Sequence, residues 1–116
     1  MYVDDLTRLK HMRDVARELG ELSHGKERSD LATNRQFSLA VMKLIEIVGE
    51  VASRITNGTQ AQYPAIPWQQ TTGMRNRLIH VYFDIDLDFV WEAAIVSAPN
   101  LIQDVEQAIG ELERAR

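Results

Sequence analysis

Apolar residues recur at steps of three and four along nearly the whole chain, which is the spacing of helices with one buried face. The first such segment follows Asp4, a suitable N-cap, and ends in the polar turn at residues 23–25. A second begins near Ser29 or Asp30 and runs to about Thr56. Its apolar residues lie on most of its faces, so we expect it to be the central, most buried helix.

The middle of the chain predicts a break and then a third helix. Asn57 and the following glycine are expected to end the second helix, and residues 57–66 are expected to be irregular. Pro67 suits the first turn of the third helix, because its missing N–H would be unpaired there in any case. This helix is predicted to extend to about Phe83.

The remaining pattern predicts one or two further helices. Asp84 and Asp86 supply a turn and an N-cap for a fourth helix over residues 87–98. Pro99 interrupts that pattern, so residues 100–113 are expected to form a separate or kinked final helix. Since no segment alternates as a strand would, the sequence predicts an all-α, up-and-down bundle of four to five helices.

Composition narrows the class of protein. The chain has 116 residues, of which 45% are hydrophobic, and this predicts a single domain over residues 1–116. The absence of cysteine excludes disulfide scaffolds, thiolate zinc sites and a cysteine nucleophile. No apolar run approaches the ~20 residues of a membrane helix, and the N-terminus lacks the apolar core of a signal peptide. We therefore expect a cytoplasmic protein with no membrane contact.

The net charge of −4 argues against a protein that coats nucleic acid by bulk electrostatics, since such domains are usually basic. Any contact with RNA would need a local basic site.

The third predicted helix carries a second face besides the one that it turns to the core. On a wheel of roughly 100° per residue, one stripe is purely apolar. That stripe contains Met74, Leu78, Val81 and Ile85. Outside it lie both large apolar and polar side chains, namely Arg75, Asn76, Ile79, His80, Tyr82 and Phe83. Ile79 and Phe83, the two large apolar side chains of this face, require a second packing partner. This partner is either another helix of the bundle or a second copy of the chain.

The polar residue types on this second face suit phosphate chemistry. Arg75 offers a planar fork of donors to a phosphodiester, and His80 can take or give a proton near neutral pH. Asn76 can donate to a phosphate oxygen or orient a hydroxyl group, and Tyr82 can donate or stack on a base. An arginine and a histidine suffice for RNA cleavage without a metal, in which the 2′-hydroxyl attacks the adjacent phosphorus.

The same stretch resembles the signature of a known family. RNRLIHVY, at residues 75–82, fits the pattern Arg-x-x-x-x-His-x-Tyr of the HepT-like branch of the HEPN superfamily. Three further parts of the chain are similar to that family. EIVGEVA at residues 46–52 resembles its second helix, IPW at 66–68 with GMRN at 73–76 resembles the entry to its third helix, and YFDID at 82–86 resembles the exit.

This resemblance implies a specific function. HepT-like proteins are toxins of type VII HepT/MntA toxin–antitoxin pairs and act as metal-independent ribonucleases. They form homodimers in which two third helices meet in an RNA-cleaving cleft. By position, Arg75 and His80 would be catalytic, and Asn76 would support them. Tyr82 would accept AMP from a cognate MntA-like nucleotidyltransferase antitoxin, which uses ATP and magnesium. The chain itself would need no cofactor.

Two carboxylates of the second helix are further candidates. Glu46 and Glu50 are spaced i, i+4 and so share one face. They could act as acid–base groups or metal ligands, but we favour a structural role in which Glu50 is a buried partner of Arg75 or Arg54.

His11 and His24 lack the spacing of metal ligands, so no metal site is expected. Trp68 and Trp91 are expected to anchor the core or the edge of a dimer. The alternative function is a non-catalytic HEPN dimer that binds a nucleotide or serves as the partner of a nucleotidyltransferase.

Overall fold

The computed structural model describes residues 4–81 and 86–115, apart from the side chains of residues 79–81. These residues are helical with no strand among them, which confirms the all-α class. The helices are α1 (Asp5–Ser23), α2 (Asp30–Thr33), α3 (Arg35–Ser53), α4 (Asn57–Gln62), α5 (Trp68–Val81), α6 (Leu87–Glu92) and α7 (Ala98–Arg114), and a π-helical turn (Ala93–Ser97) joins the last two.

Helix α1 begins and ends where the sequence predicts. The Asp4 carboxylate accepts a hydrogen bond from the backbone N–H of Thr7 at 2.8 Å, which satisfies a donor that the first turn leaves unpaired. The helix ends at Ser23, and Gly25 follows with φ of 75°, in the left-handed region that glycine adopts without strain.

A helix begins at Asp30 as predicted, but the prediction that it is continuous to about Thr56 was wrong. Asn34 has an extended backbone, and its side-chain oxygen accepts from the N–H of Phe37 at 3.0 Å. It therefore separates the short α2 from α3, because its side chain takes the role of a cap. Helix α3 ends at Ser53, three residues before the predicted end at Thr56.

The expectation of an irregular segment at residues 57–66 was also wrong in part, since Asn57 begins helix α4. A long-range contact holds this helix. The carboxylate of Asp5 accepts from the N–H of Thr56 at 3.2 Å, and from the hydroxyls of Thr56 and Thr59 at 2.6 Å each. Thr56, the N-cap residue of α4, is thus held by a carboxylate at the start of α1.

Helix α5 lies within its predicted span, and the carbonyl of Pro67 accepts from the N–H of Thr71 at 2.9 Å in its first turn. The predicted end at Phe83 and the turn at Asp84 fall outside the described residues. Asp86 caps α6 as predicted, accepting from the N–H of Phe89 at 3.0 Å.

The separation expected at Pro99 does not occur. The wider π turn ends just before α7, and Pro99 lies in the first turn of that helix. The segment from α6 to α7 is therefore helical throughout.

Four long helical segments form the bundle in the described part of the chain: α1, α3, α5 and the joined α6–α7. Helix α3 packs against α1 on one side and α5 on the other, which confirms its predicted central place, and α1 also packs against α7. The largest fully buried side chains of α1, α3 and α7 meet in the core; among them are Leu9, Met12, Val41, Ile45 and Val105.

The two tryptophans anchor the edge of this core. Trp68 and Trp91 are partly buried and pack against it, as expected, and the Trp68 indole N–H donates to the carbonyl of Tyr63 at 3.0 Å. None of the helices that the structure describes combines the length and the apolar content needed to cross a membrane.

Candidate active site

Helix α5 presents Arg75 at its junction with α3. Thr71 and Leu78, on the side of α5 that faces the bundle, are buried, and Met74 is partly buried against the core. This confirms the predicted core stripe for Met74 and Leu78; the side chains of Val81 and Ile85 are outside the described part. Arg75 keeps 47% of its side chain exposed, so its guanidinium group is accessible.

At Gly49 of α3 the main chain of α5 approaches closely. A Cβ atom at this position would lie 3.1 Å from the carbonyl oxygen of Thr71 and 3.4 Å from both the Cβ and the N of Arg75. The bare backbone of Gly49 therefore allows the two helices to pack with the main chain of Arg75 directly against α3. This role was missed at the sequence level, although a glycine inside a dense apolar helix signals a close packing contact.

Glu50 follows Gly49 and binds two arginines at once. Its Oε2 atom accepts from Nη1 of Arg75, and its Oε1 atom accepts from Nε and Nη2 of Arg54 at 3.0 and 2.9 Å. The expected pairing is thus present with both candidate partners. Glu50 is, however, 35% exposed and not buried, because the site lies at the rim of the α3–α5 contact.

This double contact changes the electrostatics of the site. The hydrogen bonds from Arg54 and then Arg75 lower the pKa of Glu50 below its ordinary value, so its carboxylate is ionised near neutral pH. The carboxylate fixes the orientation of the Arg75 fork and offsets part of its charge. Glu46, by contrast, lies 3.6 Å from Lys43, and its contact is therefore not with Arg75.

The structure describes the other predicted site residues to different extents. Asn76 is exposed on α5 beside Arg75. The backbone of His80 belongs to the last turn of α5, about 7.5 Å along the axis from Arg75, but its side chain is outside the described part. Tyr82 lies outside the described residues altogether. The catalytic pairing of Arg75 with His80 thus stays a prediction.

A groove of about 400 Å³ between α1 and α3 adjoins this site. Arg8, His11, Lys43 and Arg54 line it together with Glu46, Glu50 and the apolar side chains of Ile47 and Val51. The lining thus carries three arginine or lysine side chains and two carboxylates, and Lys43 and Arg54 are paired with Glu46 and Glu50.

The described residues contain no group of three or more histidine or carboxylate side chains arranged to hold a metal ion. His11 and His24 are both exposed, as expected of surface histidines. The chemistry that this part of the chain offers is that of an oriented guanidinium group, a carboxylate that holds it and an amide beside it.

The chain is similar to a described protein family and to individual proteins of two organisms. The model of the family described as "Ribonuclease HepT-like" matches residues 12–108. A Methanocaldococcus jannaschii protein provisionally named RNase is 30% identical over 105 residues, which are 90% of this chain and 84% of that protein. A second RNase-named protein of that organism is 31% identical, covering 80% of this chain and 85% of its own.

A Thermococcus cleftensis protein, provisionally named ribonuclease HepT, is 33% identical over 62% of this chain and 66% of its own length. No solved structure gives a significant match. The family model extends from within α1 to within α7 and includes both helices that form the Arg75 site, and the chain belongs to the HepT-like ribonuclease family.

Proposed function

We propose that this protein is a metal-independent endoribonuclease, the toxin of a HepT/MntA-type toxin–antitoxin pair. The observation that carries the proposal is the accessible Arg75 guanidinium group, which Glu50 holds in place on the helix that also carries His80. Membership of the HepT-like family and the provisional RNase names of relatives support the choice of RNA as substrate.

The proposed reaction is an internal transesterification. The 2′-hydroxyl of one nucleotide attacks the adjacent phosphorus, the bond from phosphorus to the 5′ oxygen breaks, and a 2′,3′-cyclic phosphate and a 5′-hydroxyl result. Arg75 stabilises the charge that develops on the phosphate oxygens. His80 transfers a proton, either from the attacking hydroxyl or to the leaving oxygen, and Asn76 positions the phosphate or the hydroxyl.

The proposed unit is a homodimer in which two α5 helices meet. Ile79 and Phe83, which the helical wheel places beside Arg75, give this surface an apolar component that a second copy would cover. Two arginines and two histidines would then line one cleft. The groove between α1 and α3, which is lined by three arginine or lysine side chains and two carboxylates, would extend each end of it.

Control by an antitoxin is proposed to act on Tyr82. Its phenolic oxygen would attack the α-phosphorus of ATP on a magnesium-bound nucleotidyltransferase, with release of the phenolic proton and of pyrophosphate. The AMP group adds bulk and a negatively charged phosphodiester near Arg75, where it would occupy the place of the RNA phosphate and repel the backbone.

The test is cleavage of a mixed-sequence RNA by the purified chain in EDTA. We expect products with 2′,3′-cyclic phosphate ends from the wild-type protein and from His24→Ala, a control at an exposed histidine outside the site. His80→Ala should lose at least a hundredfold in rate. Full activity of His80→Ala would remove this residue from the mechanism. No cleavage by the wild-type protein would favour the non-catalytic dimer.

A further inference from the structure

A second cavity, of about 530 Å³, lies on the other flank of α5, between this helix and the segment formed by α6 and the π turn. Its lining includes Gln69, Gln70, Gly73 and Arg77 of α5, and Phe89 and Glu92 of α6. On the helical wheel, Arg77 is about 200° from Arg75, so the exposed ridge of α5 that carries Asn76 separates the cavity from the Glu50 contact.

The most distinctive group in this cavity is a guanidinium plane stacked on an aromatic ring. The Arg77 guanidinium carbon lies 3.8 Å from the centroid of the Phe89 ring, and Nη2 of Arg77 reaches the Asp86 carboxylate at 3.5 Å. These two contacts fix the plane, while 61% of the Arg77 side chain remains exposed. A flat surface held in this way is what an unpaired nucleobase stacks on in RNA-binding proteins.

The remaining lining suits the edge of a base better than it suits a phosphate. The side-chain amides of Gln69 and Gln70 are exposed and provide both donors and acceptors. Among the described residues of the lining, the charged groups are Arg77 and Glu92, one of each sign, so this part of the cavity has no excess positive charge that would select an anion. A neutral, planar, hydrogen-bonding ligand fits this balance.

The backbone leaves room for such a ligand. A Cβ atom added to Gly73 would meet nothing within 4 Å, because this glycine borders the open cavity. On the opposite wall the helix takes its π turn, a widening that is frequent at functional sites.

We infer that this cavity is a nucleobase subsite, in which an unpaired base of the RNA strand stacks on the Arg77 plane and is read by the amides of Gln69 and Gln70. The inference rests on the proposed function for its substrate. A helix with its side chains is about 10 Å wide. A strand whose phosphate binds Arg75 therefore needs only to cross the ridge of α5 to place a neighbouring base in the cavity.

The experiment uses the full chain carrying His80→Ala, which binds RNA without cutting it, and short RNAs with 2-aminopurine at successive positions. The fluorescence of this base falls when it stacks. We expect at least one position to be quenched on binding. Adding Gly73→Leu, which fills the cavity from an unobstructed position, should abolish the quenching and weaken binding about tenfold. Gly20→Leu is the matched control, because a Cβ there also meets nothing within 4 Å.

A second variant tests the stacked plane without filling the cavity. Arg77→Lys keeps the charge and removes the plane, so it should also abolish the quenching. Arg28→Lys, at an exposed arginine paired with Asp88 at 2.5 Å, should leave the quenching unchanged. This pair of variants gives an answer even if Gly73→Leu disturbs folding.

The outcomes separate the subsite from the proposed catalysis. Unchanged quenching in both Gly73→Leu and Arg77→Lys would overturn the subsite, while RNA cleavage by the wild-type chain would still stand. Quenching that these variants abolish, in a chain whose wild-type form cuts no RNA, would support the subsite and overturn the ribonuclease. A chain that binds none of the RNAs would overturn both.

Discussion

Glu50 of α3 and Arg75 of α5 form an ion pair next to Gly49, where the main chain of α5 packs directly against α3. The same carboxylate also binds Arg54, so the Arg75 fork is held from the α3 side before any ligand arrives. Glu50 is in this sense a positioning residue, because it acts through Arg75. An anionic substrate must use the remaining donors of Arg75 or displace the carboxylate.

The Glu50 carboxylate offsets part of the Arg75 charge and also orients the guanidinium group. We expect Glu50→Gln to separate these two effects. The neutral amide leaves more of the Arg75 charge available, so KM for a short RNA should fall. The guanidinium group is less firmly oriented, so kcat should fall about tenfold. Glu113→Gln is the control, because Glu113 lies on α7 outside the groove and is paired with Lys10 at 3.3 Å, and it should match the wild-type protein. An unchanged kcat in Glu50→Gln would contradict the positioning role.

Gly49→Ala should destabilise the protein although alanine is the better helix former. The new methyl group would lie 3.1 Å from the Thr71 carbonyl, which belongs to the main chain, so α5 must shift. We expect overpacking to outweigh the gain of ~1 kcal/mol in helix propensity, for a net loss of about 1 kcal/mol. Thermal denaturation checks this. Gly20→Ala, in open space, should instead raise the melting temperature.

The contact between Asp5 and helix α4 predicts a specific pH dependence. Burial alone would raise the pKa of Asp5, but the hydrogen bonds from Thr56 and Thr59 outweigh it, and the pKa is lowered. A carboxyl group with a lowered pKa stabilises the fold above its unfolded pKa, and this contribution is lost as the pH falls through the folded value.

Asp5→Asn should therefore cost about 1 kcal/mol of unfolding free energy at pH 7, and the difference from wild type should shrink below about pH 4. Urea denaturation of both proteins at pH 7, 5 and 3.5 measures this difference in unfolding free energy. Asp14→Asn removes an exposed carboxylate paired only with its neighbour Arg13 among the contacts described, and we expect a change near zero. A constant Asp5→Asn difference across this range would refute the linkage.

Tyr82→Phe tests the proposed control by AMP transfer. When the chain is co-expressed with a neighbouring nucleotidyltransferase, its intact mass should rise by whole AMP units, and Tyr82→Phe should abolish the rise. Tyr63→Phe replaces a buried tyrosine and should leave the increase in mass unchanged. If Tyr82→Phe protein were still fully neutralised by the antitoxin, the assignment of the modified residue would be wrong.

Local capping could be predicted from the sequence because both partners lie within one turn. Asp4 and Asp86 each cap a helix through an N–H three residues later. The pairing of Glu50 could be predicted as well, since a charge on an apolar helix needs a partner and Arg54 lies one turn away. The prediction that Glu50 is buried was wrong, because exposure depends on where the two helices end their contact.

The wrong or missing predictions have two causes. Some residue types suit two different local structures, and some contacts join residues that are far apart along the chain. Asn34 could lie inside a helix or cap one. Only the structure shows that its side-chain oxygen accepts from the backbone N–H of Phe37. Helix α4 depends on Asp5, a residue 51 positions before Thr56, which no local pattern contains. The cavity beside Arg77 likewise requires the relative placement of α5 and α6. The roles of His80 and Tyr82 stay predictions.

The π turn at Ala93–Ser97 sets the phase between two parts of one long helix. A π turn is equivalent to the insertion of a single residue into an α-helix. Deleting one residue there would restore regular winding and keep Leu101 and Val105, which α7 buries in the core, in phase with α6. Deleting one residue from the regular helix on either side would instead rotate everything after it by about 100° and turn these side chains toward solvent. The π turn, where the outward residues Ile95 and Val96 are exposed, is thus the part of this segment that can lose a residue without displacing the core.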